Sequence, residues 1–294
     1  MRLPTFFLEG KKIPRVILSI QPQLPSDRSQ ILSLMKETYE IGAWCFDLPS
    51  AGHLESFKEL KHLTLDEMLI GFCHLEAEAG VSFLGKPLHQ FESKVVSTIR
   101  KDLLPPHLPQ NILPSSTSSE VFSQKEIDRI AFDSLRFDKA LSLFDPKESP
   151  FLILGETYGE WLLALGRIDL LYKMVSRVRE KGFTPIFSGQ WATFVLPKAK
   201  SLNVSAFAVP INKKGSLFDL QRASDLIKKF EKPVISLNPL ADGKLLKEPE
   251  GAFAFLFDEL KVCAAIVKIG SEAEARRIVE ALKTSPSLIP PRKP

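Results

Sequence analysis

The stretch FLILGETYGEWLLALGRIDLLYKMVSRVREKGFTPIF, residues 151–187, contains the unit from which the chain is built. It opens on a short apolar run of strand length, Phe151 to Leu154. Apolar residues at helical spacing follow, at Leu162, Leu165, Ile168, Leu171, Val175 and Val178. Lys181-Gly182 ends that helix, because glycine suits the left-handed residue just past a helix end. A second strand comes at Thr184 to Phe187. Two strands joined by a helix make a crossover connection, and such strands lie parallel.

The same unit recurs downstream. Strands are expected at Val204 to Val209, Pro233 to Leu237 and Cys263 to Ile269. Helices are expected from about Ala192 to Leu202, then on the stripe Leu217, Leu220, Ala223, Ile227 and Phe230. Two more carry Phe253, Leu256, Phe257 and Leu260, and Ala275, Ile278, Val279 and Leu282. Upstream, strands fall at Arg15 to Ile20, Trp44 to Asp47 and Met68 to Leu75, with a helix through Ile31, Leu34, Met35 and Thr38. Eight strands alternating with helices in a chain of 294 residues predict a (β/α)₈ TIM barrel. An open doubly wound sheet is the alternative, but it wants a glycine-rich first turn. Here the first strand ends Ser19-Ile20-Gln21-Pro22.

A single domain spanning 1–294 is expected, interrupted after the third strand by an insertion over about 86–145. Helices are expected there at Pro87 to Leu103 and Gln124 to Leu143, separated by a Pro- and Ser-rich loop over 104–119. That loop reads as a lid or as a plain insertion. The tail over 284–294 holds four prolines and reads as an extended strap.

With 44% hydrophobic and 25% charged residues, the chain can build a core and is not a disordered one. A net charge of +4, from 39 basic and 35 acidic residues, is too small and too evenly mixed to argue for a nucleic-acid or membrane partner. A small-molecule substrate is the expected partner. Three scattered cysteines make no disulfide framework and favour a reducing compartment. Phe6, Phe7 and Leu8 run at once into Glu9, Gly10, Lys11 and Lys12, so no export signal forms, and a cytoplasmic location is expected.

Four stretches resemble the aldo-keto reductase superfamily. The best match is Pro233-Val234-Ile235-Ser236-Leu237-Asn238-Pro239-Leu240-Ala241-Asp242-Gly243-Lys244-Leu245, which looks like the family's seventh strand and its Pro-Leu-Ala-x-Gly-x-Leu loop. Leu8 to Pro14 is similar to the amino-terminal hairpin that plugs the bottom of the barrel. Glu40 to Asp47 is similar to the second strand with its catalytic aspartate, and Ile266 to Ser271 to the last strand and the cofactor-phosphate helix. The resemblance implies NADP(H) as a cofactor, with Asn238, Leu240, Gly270, Ser271, Arg276 and Arg277 about it.

The family's chemistry uses an aspartate, a tyrosine proton donor, a lysine and a histidine. Only Asp47 falls in place. The tyrosine's setting reads Asp47-Leu48-Pro49-Ser50-Ala51-Gly52-His53, the lysine's Cys73-His74-Leu75-Glu76, and the histidine's Leu154-Gly155-Glu156-Thr157-Tyr158. Carbonyl reduction still needs an acid to protonate the oxygen. Of three tyrosines, Tyr39 and Tyr172 belong to helices, which leaves Tyr158, with His53 and His74 as other donors.

Barrel sites lie just past the carboxyl ends of the strands, a rule that selects Asp47, His74, Glu76, Glu156, Tyr158, Gln190, Asn212, Lys213, Asn238, Asp242 and Lys244. Asp47 and Glu156 facing each other across the mouth would form an acid–base pair; each is otherwise a helix cap or a lysine partner. His74 and Glu76, two apart, suit a metal only with a third ligand. Ser271 and Glu274 form a capping box, or open an anion site at a helix start. Trp44 and Trp191 are placed near the mouth.

Three function classes follow. The first is an NAD(P)H-dependent oxidoreductase of a small carbonyl compound with a replaced proton donor. The second is a non-redox lyase, isomerase or hydrolase using Asp47 and Glu156 on a small anionic substrate. The third is a non-catalytic binding barrel.

Overall fold

Glu9 and Gly10 both take positive φ, 46° and 77°, the geometry of a two-residue hairpin turn. They join β1 (Thr5–Leu8) to β2 (Lys11–Pro14) at the start of the chain. The computed structural model describes residues 4–21, 27–75, 80–102, 120–216 and 219–284. Beyond the hairpin lie β3 (Val16–Ile20), α1 (Arg28–Glu40), β4 (Cys45–Leu48), α2 (Ala51–Thr64) and β5 (Ile70–His74). The insertion holds β6 (Val81–Phe83), β7 (Lys86–Pro87), α3 (Glu92–Asp102), α4 (Gln124–Ile127), β8 (Ile130–Phe132) and α5 (Ser134–Leu141). Then come β9 (Phe151–Gly155), α6 (Glu156–Ala164), α7 (Ile168–Glu180), β10 (Thr184–Ser188), α8 (Ala192–Ala199) and β11 (Ala206–Asn212). The chain closes with β12 (Gly215–Ser216), α9 (Leu220–Lys229), β13 (Val234–Leu237), α10 (Pro249–Ala254), β14 (Ala264–Ile269) and α11 (Glu272–Thr284).

Eight strands pair in parallel around a closed ring, β3-β4-β5-β9-β10-β11-β13-β14, and β14 returns to β3. This is the (β/α)₈ barrel with an amino-terminal hairpin. Alternation along each strand divides the core in two. Ile17, Cys45, Phe72, Ile153, Ile186 and Ile235 point inward, while Leu18, Phe46, Cys73, Leu152 and Phe187 meet the helices. Phe72 and Phe151 stack at 4.5 Å between ring centroids, and Ala206, Ala208 and Ala264 join the same cluster. Large rings and small alanines thus share the barrel interior, as close packing of a closed ring requires. Leu8 and Ile13 of the hairpin join this inner cluster and close its amino-terminal end.

Three local readings are corrected. The stripe from Leu162 to Val178 is two helices, because Gly166 at φ 75° breaks the spiral between α6 and α7. The expected helix from Gln124 to Leu143 is α4, β8 and α5. Two caps divide it, Ser123 with Glu126 and then Asp133, whose carboxylate accepts from the Arg136 N–H. Trp44 precedes β4 and packs at the amino-terminal end, away from the mouth. The 104–119 loop and the tail after Thr284 lie outside the described residues, as does Glu76. No helix among the described residues is long and apolar enough to cross a membrane.

Candidate active site

Two residues beyond inward-facing Ile17, Cys45, Phe72 and Ile266 stand Ser19, Asp47, His74 and Lys268. All four line a cavity of about 730 Å³ at the carboxyl-terminal mouth. Glu55 and Lys58 of α2, Glu156, Gln190 and Asn238 complete its polar wall. Ala140 of α5, with Leu143 and Phe144 just beyond, forms an apolar wall, so the insertion helps enclose the site.

His74 sits between two carboxylates. Its Nε2 is 2.6 Å from Asp47 Oδ1, and its Nδ1 is 3.0 Å from Glu156 Oε1. Burial on its own would lower the pKa of this imidazole. The charge of Asp47 and hydrogen bonds donated to both carboxylates outweigh that and lift it from 6.5 to about 10. At neutral pH His74 is therefore an imidazolium, and both ring nitrogens donate. The two acids differ in setting, with the Asp47 side chain 6% exposed and that of Glu156 52% exposed. Asp47 and Glu156 are thus not a facing carboxylate pair; the imidazolium bridges them.

Glu156 reaches this position through a sharp turn at the end of β9. Gly155 has φ 113° and Glu156 has φ 43°. A Cβ on Gly155 would lie 2.5 Å from the Ser188 carbonyl oxygen, so only glycine fits there. The turn starts α6 directly over the mouth. Tyr158, two residues on, does not line the cavity; it packs edge-on against Trp161 at 4.7 Å between ring centroids. His53 likewise faces elsewhere, bound to Ser50 Oγ at 2.7 Å and the Ile20 carbonyl oxygen at 2.6 Å.

Glu160, one turn along α6, holds the loop after β10. Its carboxylate accepts the Trp191 N–H at 2.6 Å, and burial raises its pKa from 4.5 to about 6 despite that bond. Gln190 is thereby presented to the cavity, while Trp191 stacks on Phe194 at 5.1 Å. Asn212 shapes the neighbouring turn: its side-chain oxygen accepts from the Lys214 and Gly215 N–H groups, and its amide donates to the Asn238 carbonyl at 3.1 Å.

A second cleft, of about 290 Å³, adjoins the first and shares Gln21, Asn238 and Lys268 with it. Asn238, Leu240, Gly270 and Ser271 line it, along with Asp242 and Gly243. The loop after β13 is held open by left-handed backbone at Asn238, Ala241, Asp242 and Gly243, and Asn238 Oδ1 accepts the Asp242 N–H at 2.7 Å. Arg276 and Arg277 do not line this cleft. Arg276 pairs with Glu272 one turn away, and Arg277 donates to the Lys247 carbonyl. Ser271 accepts the Glu274 N–H at 3.3 Å, while Glu274 accepts the Gly270 N–H at 2.7 Å, so the capping reading of this helix start is realised.

The strand-end rule does not reach Ser19, Lys58 or Lys268. A signal existed for two of them, since Ser19 and Lys268 continue the inward alternation of Ile17 and Ile266. For Lys58 the signal is the helical stripe Ala51, Leu54, Glu55 and Lys58, which faces the cavity.

No protein-family model matches the chain, and no curated protein matches it by sequence. Solved structures do. An aldo-keto reductase from Bacillus halodurans in its holo form is 13% identical, with a TM-score of 0.58 over 97% of this chain and 92% of that one. The thermostable aldo-keto reductase Tm1743, solved with the inhibitor epalrestat, is 12% identical, with a TM-score of 0.54 over 95% and 94%. At such identities the likeness is one of architecture, and the chain has the fold of the aldo-keto reductases.

Proposed function

We propose that the cavity is the active site of an oxidoreductase that reduces a small carbonyl compound with a nicotinamide dinucleotide, His74 serving as proton donor. The observation that carries this reading is the imidazolium of His74, clamped between buried Asp47 and exposed Glu156 at the cavity wall. It stands where the resemblance expects the lysine, and Glu156 where it expects the histidine.

A dinucleotide in the cleft would lie beside the cavity that holds His74. Asn238, Leu240, Gly243, Gly270 and Ser271 would hold it. When bound, it supplies a hydride to the carbonyl carbon. The unphosphorylated form suits the cleft better than NADP(H), because Arg276 and Arg277 are engaged elsewhere.

The chain's own residues handle the proton. Asp47 keeps the Nε2–H of His74 and fixes the ring. Glu156, exposed and at the rim, yields the Nδ1–H to a carbonyl oxygen arriving from solvent. That proton passes to the oxygen as negative charge builds on it. Glu156 then relays a proton from water back to Nδ1.

A second reading is favoured by one observation. Glu274 occupies the Gly270 N–H, the backbone donor that a phosphate would use. Under it, the same Asp47–His74 pair performs acid–base chemistry without a dinucleotide, as a lyase, isomerase or hydrolase. Titrating the protein with NADH and NADPH, followed by nucleotide fluorescence, separates the two. Saturable micromolar binding together with aldehyde reduction that His74→Gln abolishes is the expected result. Absence of binding up to millimolar nucleotide overturns the reductase and leaves the second reading.

A further inference from the structure

We infer that the substrate carries an oxyanion, a carboxylate or phosphate group, seated over the end of β3 between Lys58, Lys268 and the hydroxyl of Ser19. This inference rests on the reading of the cavity as the active site. Three observations support it.

Ser19 is 1% exposed and lines the cavity, and its Oγ has no hydrogen-bond partner among the described residues. Buried hydroxyls are seldom left unsatisfied in folded proteins, and one facing a cavity is available to a ligand or to water. Its O–H is a donor suited to an anionic oxygen.

The charges in the cavity do not cancel locally. Asp47 and Glu156 are committed to His74, and Glu55 is paired with Arg28 at 3.1 Å. In the adjoining cleft Glu274 is held on the Gly270 N–H. Lys58 and Lys268 line the cavity with no hydrogen bond or ion pair to another described residue. Two ammonium groups and an unsatisfied hydroxyl lining one cavity form a donor set for an oxyanion.

Topology brings the three together. β3 lies between β14 and β4 in the ring. Lys268 is the register partner of Ser19 on β14, and Lys58 lines the same cavity from the helix that follows β4. His74 lies one strand further on, at the end of β5. The oxyanion is thus seated to one side of the proton donor, and the reacting carbonyl of the same small molecule reaches His74.

The test is calorimetric titration of the full chain, without nucleotide, using succinate and inorganic phosphate as probes. Wild type is compared with Lys58→Gln, Lys268→Gln and Ser19→Ala, each checked for folding by circular dichroism. The expected result is one-to-one binding of one probe, which identifies the oxyanion. Each lysine substitution then weakens it about tenfold or more, since each removes a charge-assisted hydrogen bond. Ser19→Ala weakens it several-fold, and added salt weakens it further. Failure of both probes to bind at millimolar concentration overturns the inference. So does binding that only Lys268→Gln reduces, because the anion then sits in the cleft beside β14. His74→Gln separates this inference from the reading beneath it: anion binding that persists while turnover persists too contradicts the active-site role and leaves the oxyanion seat standing.

Discussion

The two sides of the barrel mouth are built on opposite terms. Around β13 and β14 the local sequence most resembles the reductases, yet the polar groups there satisfy one another. Glu274 caps Gly270, Ser271 caps Glu274, and the two arginines of α11 have found neighbours. Around β4, β5 and β9 the sequence departs from the family pattern, yet it assembles a charged cluster that no local motif explains. Asp47, His74 and Glu156 come from three strand ends and meet within 3.0 Å. Local resemblance is thus found where the polar groups are self-satisfied, and long-range convergence of titratable groups where the proposed chemistry sits.

Replacing residues on each side sharpens this contrast. The largest effect is expected at His74, where His74→Gln should lower turnover by about 10²- to 10⁴-fold, the usual worth of a positioned general acid. Steady-state kinetics with circular dichroism on the same sample distinguishes lost chemistry from lost fold. Gly155→Ala comes next. Its φ of 113° and the 2.5 Å approach to the Ser188 carbonyl should cost at least about 1–3 kcal/mol in urea unfolding. The turn that aims Glu156 would be disturbed as well. If Gly155→Ala were as stable as wild type, the turn would not be a built feature.

On the other side, Glu274→Ala should tighten dinucleotide binding by roughly two- to fivefold, because it removes a carboxylate from a helix amino terminus. A loss of affinity would mean that Glu274 itself holds the ligand. The smallest effect is expected at Glu160, whose pKa is raised from 4.5 to about 6. A raised carboxyl pKa favours the folded state at low pH, a contribution present below 4.5 and lost as pH rises through about 6. Thermal unfolding of wild type should weaken across that window relative to Glu160→Gln. Parallel curves for the two proteins would show that the buried carboxyl does not titrate there.

The barrel was legible because its signals are local. Strand-length apolar runs and helical stripes repeat along the chain, and the closed ring follows from their number. Asp47, His74 and Glu156 were each legible as strand ends, but the contact between His74 and Glu156 spans 82 residues and exists only after the ring closes. Tyr158 was misjudged because α6 begins at Glu156. At about 100° per residue, two steps carry its ring to the far side of the helix from the mouth. Trp44 belongs at the other end because it opens the run that becomes β4, and the mouth is built where the strands finish. Arg276 lost its phosphate role to Glu272, four residues earlier, a competition written in the spacing itself.

The central claim is that His74 is a proton donor kept charged through neutral pH by Asp47 and Glu156. The most direct test is ¹⁵N NMR of the imidazole across pH 5 to 11, in wild type and in Asp47→Asn. The account predicts that both ring nitrogens stay protonated through neutral pH and titrate near 10, and that Asp47→Asn brings the transition down. Stability should follow, with the contribution of His74 intact below 6.5 and lost as pH rises through about 10. A wild-type transition near 6.5, unmoved by Asp47→Asn, would contradict the account.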